Sequence, residues 1–465
     1  MREKPQSKFN QTAVMFLISV FQVLCMVSLV TNDAVYSSYV ARLKDGVEAL
    51  ALQTFNTQIF YIFMIFIAAE WLYMALGTLI TGHDYFELEA VAFFLCGIGL
   101  TVCASFGPDN AITQLIAIGI GILVYIAVGL FIKDVNFACF MRTPAAAASV
   151  ALLAFTLITA QEINGTKSWL YIGGVSVQPS ELVKVAFILV GAASLEKLLS
   201  MVSLTKYIVF SVACVGLLFV MKDFGTALIF FFTFILIAFM RSGDMRTIFL
   251  ICAVALLGAI LILIFKESVR ERFEGYRHVW ENTGNSKGYQ QSRVLTYIAS
   301  GGLLGLGIGE GKLRNIYAAS SDLVFGVICE EMGIIVGLAV LASFVGIALF
   351  AIHASKTAGS TFYTISAVSA AGMIMFQLSL NVFGITDLLP LTGVTLPFVS
   401  EGGSSMICCW GLLAYIRAAG APFTAPKPDV IDKKPPTPPK KAPKKTPVKV
   451  KTKTKTKTSV KEGAV

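Results

Sequence analysis

Long apolar runs, broken at short intervals by charged or turn-forming residues, set the rhythm of this chain. Twelve of them approach the ~20 residues that cross a bilayer as a helix, near 12–31, 58–80, 88–106, 112–132, 144–161, 180–197, 205–221, 224–240, 247–265, 322–352, 361–387 and 402–420. The fold class they predict is an all-α polytopic integral membrane protein. Only Lys222, Asp223 and Phe224 separate the two runs near 205–240, which form either a tight hairpin or one broken helix pair. The first run is long enough to span and has no obvious small-residue cleavage site, so it reads as a span rather than a cleaved signal.

Composition agrees, because 56% hydrophobic and 14% charged residues with mean hydropathy +0.76 exclude an ordinary soluble domain. The net charge of +9 is localised. Residues 421–465 hold 13 Lys against Asp429, Asp432 and Glu462, which leaves 24 bases against 25 acids in the rest. The basicity therefore gives no sign of a nucleic-acid partner. With nine of the 15 prolines and alternating Lys and Thr, that tail cannot bury a core and is expected to be disordered. It reads either as an arm for anionic lipid heads or an acidic partner, or as a solvated extension completing the positive-inside rule. Nine scattered cysteines without CxxC or Cys/His spacing read as small packing residues.

Lys and Arg in the short loops orient the chain. They place 1–11 and the 421–465 tail in the cytoplasm, 12–420 in the membrane and the long 266–321 loop outside. The segment 81–89 is a weak spot, with acids but no Lys or Arg on the inner side. The outer loop carries eight basic residues against five acidic ones before Asp322, which points to a negatively charged partner.

Candidate chemistry gathers in the loops. Pro179 suits a helix start, Ser180 can cap it, and Glu181 falls in the first turn, where a negative charge is favoured. Lys184, one turn deeper, is costly in lipid unless it pairs with Glu181 or faces a polar cavity. Asp223 is placed to cap the next helix, and a cap and a cavity carboxylate are not exclusive. Residues 289–300 have helical spacing, as a surface helix or a plain packing helix. The glycines of 301–309 either allow close helix packing or bring backbone N–H groups to a phosphate, with Lys312 and Arg314 as anion-holding or merely solvated cations. Asp322 opens an apolar run and is either a helix cap or a catalytic carboxylate. Of Glu330 and Glu331, at most one faces a given cavity. The Gly, Pro and Ser of 392–405 break helix at membrane depth, which marks backbone bordering a cavity. Glu70 is the main ionisable residue inside a span.

These stretches, in this order, resemble the SEDS family of bacterial membrane glycosyltransferases, the FtsW/RodA/SpoVE group. Residues 164–169 are similar to the family's NGAxRW, 178–184 reproduce QPSELxK, and 222–226 approximate PDxGT. Residues 288–290 and 300–309 match GYQ and SGGxxGxGxG, 316–331 align with LPExHTDF and GEE, and 392–405 match TGxxLPFxSYGGSS. The chain departs from the pattern at Tyr317, Ala318 and Ser320, at Lys222 in place of Pro, and at Glu401 in place of Tyr.

The resemblance implies a ten-helix core, here with an extra N-terminal helix pair, since five runs instead of three precede residue 164. It implies a lipid II polymerase working at the outer face of the cytoplasmic membrane, with both termini inside. It places the catalytic base on Asp322 and the cavity residues on Glu181, Lys184 and Asp223, with Gln178, Gln290 and Ser404 beside them. Lys312, Arg314 or a divalent cation (Mg or Mn, with Glu181 and Asp223 as candidate ligands) would stabilise the leaving pyrophosphate. It also implies a single-pass penicillin-binding transpeptidase and other divisome or elongasome membrane proteins as partners. Thr395, where elongation-type relatives often have Pro, leans towards division. A lipid II flippase or a non-catalytic cell-wall scaffold are the alternatives.

Overall fold

Helix boundaries follow local chemistry. Pro108 sits in the first turn of one helix, while Asp134 caps the next by accepting from the N–H groups of Asn136 and Phe137 at 2.9 and 3.3 Å. The computed structural model describes residues 11–32, 35, 37, 40, 48–82, 85–162, 166–172, 175–196, 201–242, 249, 276–281 and 288–420, with backbone alone for 48–53, 81, 172, 175, 201–203 and 241–242. Among the described residues, five helices lie before residue 164: α1 Gln11–Val30, α2 Glu48–Thr81, α3 Glu87–Phe106, α4 Pro108–Phe131 and α5 Val135–Thr159. A short antiparallel hairpin follows, β1 Leu170–Ile172 and β2 Val175–Val177, with Leu170 opposite Val177. Then come α6 Pro179–Leu195, α7 Met201–Val220, α8 Phe224–Ser242, α9 Tyr289–Gly301, α10 Val324–Glu331, α11 Gly333–Thr357, α12 Thr361–Ile385 and α13 Gly403–Gly420.

Seven of these helices contain a stretch long and apolar enough to cross a membrane, and Leu204–Val220 and Phe224–Met240 are shorter apolar helices. Leu17, Leu79, Leu123 and Ile158 are exposed on the outer surface, a distribution that suits lipid and not water. This is a multi-pass membrane protein. Its centre is α13, buried along nearly its whole length and packed on α4, α6, α11 and α12. Trp410 is fully enclosed there, with the rings of Phe93, Tyr125 and Phe398 at 5.3, 5.7 and 6.0 Å.

Several expectations change in detail. The run near 58–80 belongs to a helix that begins at Glu48, and the Asp134 cap starts α5 at Val135, ahead of the expected 144. The 205–240 pair is a hairpin, turned at Lys222 in the left-handed region (φ +62°). The single span expected over 322–352 is two helices, α10 and α11, meeting at Met332 and Gly333 (φ +84°). The break is invisible to hydropathy because both sides are apolar. The glycine loop stabilises it, as Leu306 and Gly307 donate to the carbonyls of Glu330 and Glu331, and Ile334 donates to that of Gly302. The 247–265 run (Phe249 apart), residues 1–10, Asn164, Gly165 and the 421–465 tail lie outside the described residues.

The weak spot in the charge pattern has a structural answer. Glu89 points into the bundle, only 1% exposed, where Tyr125 donates to it at 2.6 Å and Arg417, from the last turn of α13, pairs with it at 3.2 Å. Arg417 also donates to the carbonyl of Tyr85. The acid is neutralised by a base from the far end of the sequence. Removing one partner from such a pair costs about 3 kcal/mol because the other charge is left buried. Arg417→Met is therefore expected to lower unfolding free energy by about that amount, and adding Glu89→Gln should recover most of it. Denaturant unfolding of the purified proteins in detergent checks this, and a single variant as stable as wild type would refute it.

Candidate active site

Four of the polar stretches close around one cavity of about 340 Å³. One wall is the segment through the hairpin, from Thr166 to Gln178, and the next is the α7–α8 turn with Lys222, Asp223 and Thr226. The others are the turn 317–322 and the non-helical segment 392–401. Glu181, Asp223 and Asp322 all line it.

The floor is a chain of buried polar contacts. Lys184 is wholly inaccessible and donates to Glu181 Oε1 at 2.7 Å and to Gln377 Oε1 of α12 at 2.9 Å. Gln377 Nε2 in turn donates to the carbonyl and hydroxyl of Thr395 at 3.0 and 3.1 Å, and the Thr395 hydroxyl bonds that of Ser405 at 2.8 Å. Helix α6 enters this floor with Pro179 in its first turn, as its sequence suggests. Its N-cap is Gln178 and not Ser180, whose hydroxyl is buried without a hydrogen-bond partner. Gln178 instead donates its side chain to Asp223 Oδ2 at 3.0 Å and its N–H to Ser404 at 3.1 Å. Asp223 Oδ1 accepts from the N–H of Thr226 at 3.2 Å, so Asp223 is both helix cap and cavity carboxylate.

Asp322 is not the cap of α10, whose N-cap is Leu323 without a side-chain bond. It ends a turn in which its N–H meets the carbonyl of Ala318 at 2.9 Å, with Ala318 itself left-handed (φ +59°). Asn381 of α12 clamps this turn to the 392–401 segment by donating to the carbonyls of Asp322 and Val394 at 2.8 and 2.7 Å. Ser400 adds a bond to the carbonyl of Ser321, and Glu401 N–H one to that of Ser320 at 2.9 Å. Gly393 (φ +69°) faces Asp322 so closely that a Cβ there would sit 3.3 Å from Oδ2. A side chain would be strained and would crowd the carboxylate.

Other candidates fall outside the lining. Gln290 supports the 317–322 turn by donating to the carbonyl of Tyr317 at 3.0 Å. Lys312 and Arg314 lie beyond the cavity residues, and the N–H groups of Lys312 and Leu313 are bound by the buried carboxylate of Glu330 at 2.8 and 2.9 Å. Glu330 and Glu331 are both buried and neither lines the cavity. The glycine loop is a close-packing device, since a Cβ on Gly305 would meet the backbone of Glu331 at 2.2 Å. Glu181 and Asp223 share the cavity, but Lys184 holds one oxygen of Glu181 and both Asp223 oxygens accept bonds. Among the described residues no three His, Cys, Asp or Glu side chains converge. Two carboxylates with a substrate phosphate are nonetheless a usual donor set for Mg2+, so Glu181 and Asp223 are the residues that would hold such a cation, and no chemical step is assigned to one.

The sequence reading missed Gln377, Asn381, Asn110 and Gln114. Each pair sits four residues apart in an apolar helix, which puts two amides on one face. That spacing was the available signal. Asn110 holds Glu401 Oε1 at 2.8 Å, and Gln114 donates to the carbonyl of Ser400 at 3.2 Å. Glu401, the departure from the family's Tyr, thus adds a fixed carboxylate to the cavity wall. Lys222 adopts a φ that the family's Pro cannot reach, and it pairs with Glu162 at 2.8 Å across the rim.

Comparison with known proteins places the family and the fold. The family model FtsW/RodA/SpoVE, described as cell cycle protein, matches residues 105–420. The chain belongs to this family of polytopic membrane proteins. It is 28% identical over 372 residues to the probable peptidoglycan glycosyltransferase FtsW of Bacillus subtilis (strain 168), covering 73% of this chain and 91% of that one. To the FtsW of Buchnera aphidicola subsp. Acyrthosiphon pisum it is 32% identical over 270 residues, 56% and 67% of the two chains. Among solved structures, a chain of a peptidoglycan synthase complex that coordinates polymerization and crosslinking shares the fold with a TM-score of 0.63 at 24% identity, over 73% and 98% of the chains. The rod shape determining protein RodA of Thermus thermophilus shares it with 0.54 at 23%, over 72% and 96%.

The rim pair generates a pH prediction. Lys222 holds the exposed Glu162 carboxyl below the usual glutamate range, chiefly by its hydrogen bond and then by its charge. A lowered carboxyl pKa favours the folded rim fully above the ordinary range, and that contribution is lost as pH falls through the lowered value. NMR titration of labelled Glu162 is expected to show the depressed midpoint, with Lys222→Met moving it back up. Identical midpoints would remove the rim pair.

Proposed function

We propose that this chain is a peptidoglycan glycosyltransferase that polymerises lipid II into glycan strands at the outer face of the bacterial cytoplasmic membrane, with both termini in the cytoplasm. The observation that carries this reading is the meeting of Asp322, Glu181 and Asp223 in one cavity built from the family's motifs. Lipid II carries its reacting sugar at the membrane surface on a polyprenyl pyrophosphate, and a membrane-embedded wall can hold the lipid while the cavity receives the sugar.

Asp322 acts as general base. It takes the proton of the acceptor sugar hydroxyl as that oxygen attacks the donor's anomeric carbon. The new glycosidic C–O bond forms as the C–O bond to the lipid pyrophosphate breaks, with inversion. Gln178 and Asp223 present polar atoms to the sugars, while Lys184 keeps Glu181 in place from below. Lys312 and Arg314, set apart from the lining, receive no leaving-group role.

A relative's structure is described as coordinating polymerization with crosslinking, which supports a single-pass penicillin-binding transpeptidase as partner. Thr395, where elongation-type relatives often have Pro, leans the reading towards a division-type role. The test is polymer formation from lipid II by the full chain with its candidate partner. Asp322→Ala is expected to lower the rate by ~10²–10⁴-fold, the usual contribution of a positioned base. Equal polymer from both would overturn the base assignment. Lipid movement across vesicles that survives Asp322→Asn, without polymer from wild type, would favour a flippase.

A further inference from the structure

A second concavity, about 720 Å³, lies between α5, α6 and α7 at the end of the bundle opposite the Asp322 cavity. Its position follows from chain direction. The groove uses the first part of α5, the last turn of α6 and the first part of α7, whereas the cavity lies beyond the other ends of the same helices. The groove is graded in polarity. Arg142, Thr143, Ser194, Thr205 and Lys206 form its rim, while Val150, Val190, Phe210 and Ala213 lie deeper. Eight residues of helix separate Arg142 from Val150, a depth of about 12 Å. Ala146 and Ala147 leave the width open beside Pro144, which lies inside α5. Among the described residues, no carboxylate is part of the lining.

We propose that this groove binds one glycerophospholipid with a net negative headgroup, its phosphate between Arg142 and Lys206 and an acyl chain along the apolar floor. Charge selects the occupant. Two cations and no acid disfavour the chain's own tail, which carries 13 Lys, and give a zwitterionic lipid's ammonium nothing to pair with. Polarity selects a lipid over a free anion, because a soluble phosphate would leave the apolar depth unfilled. The site is independent of the reaction assigned to Asp322, and its test needs no enzymatic activity.

The experiment is native mass spectrometry of the full chain released from micelles containing phosphatidylglycerol or phosphatidylcholine. Wild type is expected to keep one phosphatidylglycerol under activation that strips phosphatidylcholine. Lys206 is exposed, so Lys206→Ala carries little folding risk and should weaken that retention roughly fivefold, with a similar further loss on adding Arg142→Ala. Lys356→Ala, an exposed cation on α11 outside the groove, should leave it unchanged. Ala146→Phe should displace both lipids by filling the floor. Equal retention of the two lipids by wild type, unchanged retention in Lys206→Ala with Arg142→Ala, or an equal loss in Lys356→Ala would each overturn the proposal, the last by showing diffuse surface attraction.

Discussion

A lysine sealed inside a membrane protein is tolerated only when something of opposite charge or strong polarity meets it. Lys184 meets both, Glu181 on its own helix and Gln377 on α12, and much of the site hangs from that requirement. Gln377 is held by Thr395, and Thr395 by Ser405, so one buried ammonium ties α6, α12, the non-helical 392–400 segment and the start of α13 into a single polar seam. The interaction is worth less as stabilisation than as specification. A buried ion pair returns little net energy against a well-packed apolar replacement, but it allows few arrangements of its neighbours.

Much of this was legible in the sequence because membrane burial is written in long apolar runs. The helices, the α7–α8 turn and the polar stretches around Glu181, Asp223 and 392–405 follow from run length, Pro and Gly placement and the cost of charge in lipid. The split between α10 and α11 was not legible, since Met332 and Gly333 interrupt geometry without interrupting hydropathy. Nor was the hairpin at 170–177, whose strands are three residues each. The carboxylates of the cavity were found because ionisable residues near spans attract attention. The neutral amides Asn110, Gln114, Gln377 and Asn381 were missed although they fix the walls, because an uncharged polar residue in an apolar helix disturbs the pattern so little. Lys312 and Arg314 drew attention as cations, while the contact that organises their loop is made by backbone N–H groups to Glu330.

The two charged departures from the family pattern are each accommodated by a partner that the motif does not include. Glu401 is oriented by Asn110 from α4, and Lys222 by Glu162 beyond α5. Each departure therefore enters the cavity's edge as one half of a polar pair.

The two long walls of the cavity are fastened in different ways. The turn bearing Asp322 and the 392–401 segment are joined by Asn381, Ser400 and the Glu401 N–H, bonds that are buried or partly buried. Opposite them, the segment leading to β1 meets the α7–α8 turn through the backbone bond from Lys167 to Met221 and the half-exposed Lys222–Glu162 pair. Water competes for an exposed pair and leaves it worth little. A growing strand has to shift along the cavity after every addition without dislodging the base, and the compliant side is the one that can yield. Processivity would then be set at the rim, by how long a strand lingers before that side lets go, and not at the carboxylate that makes each bond.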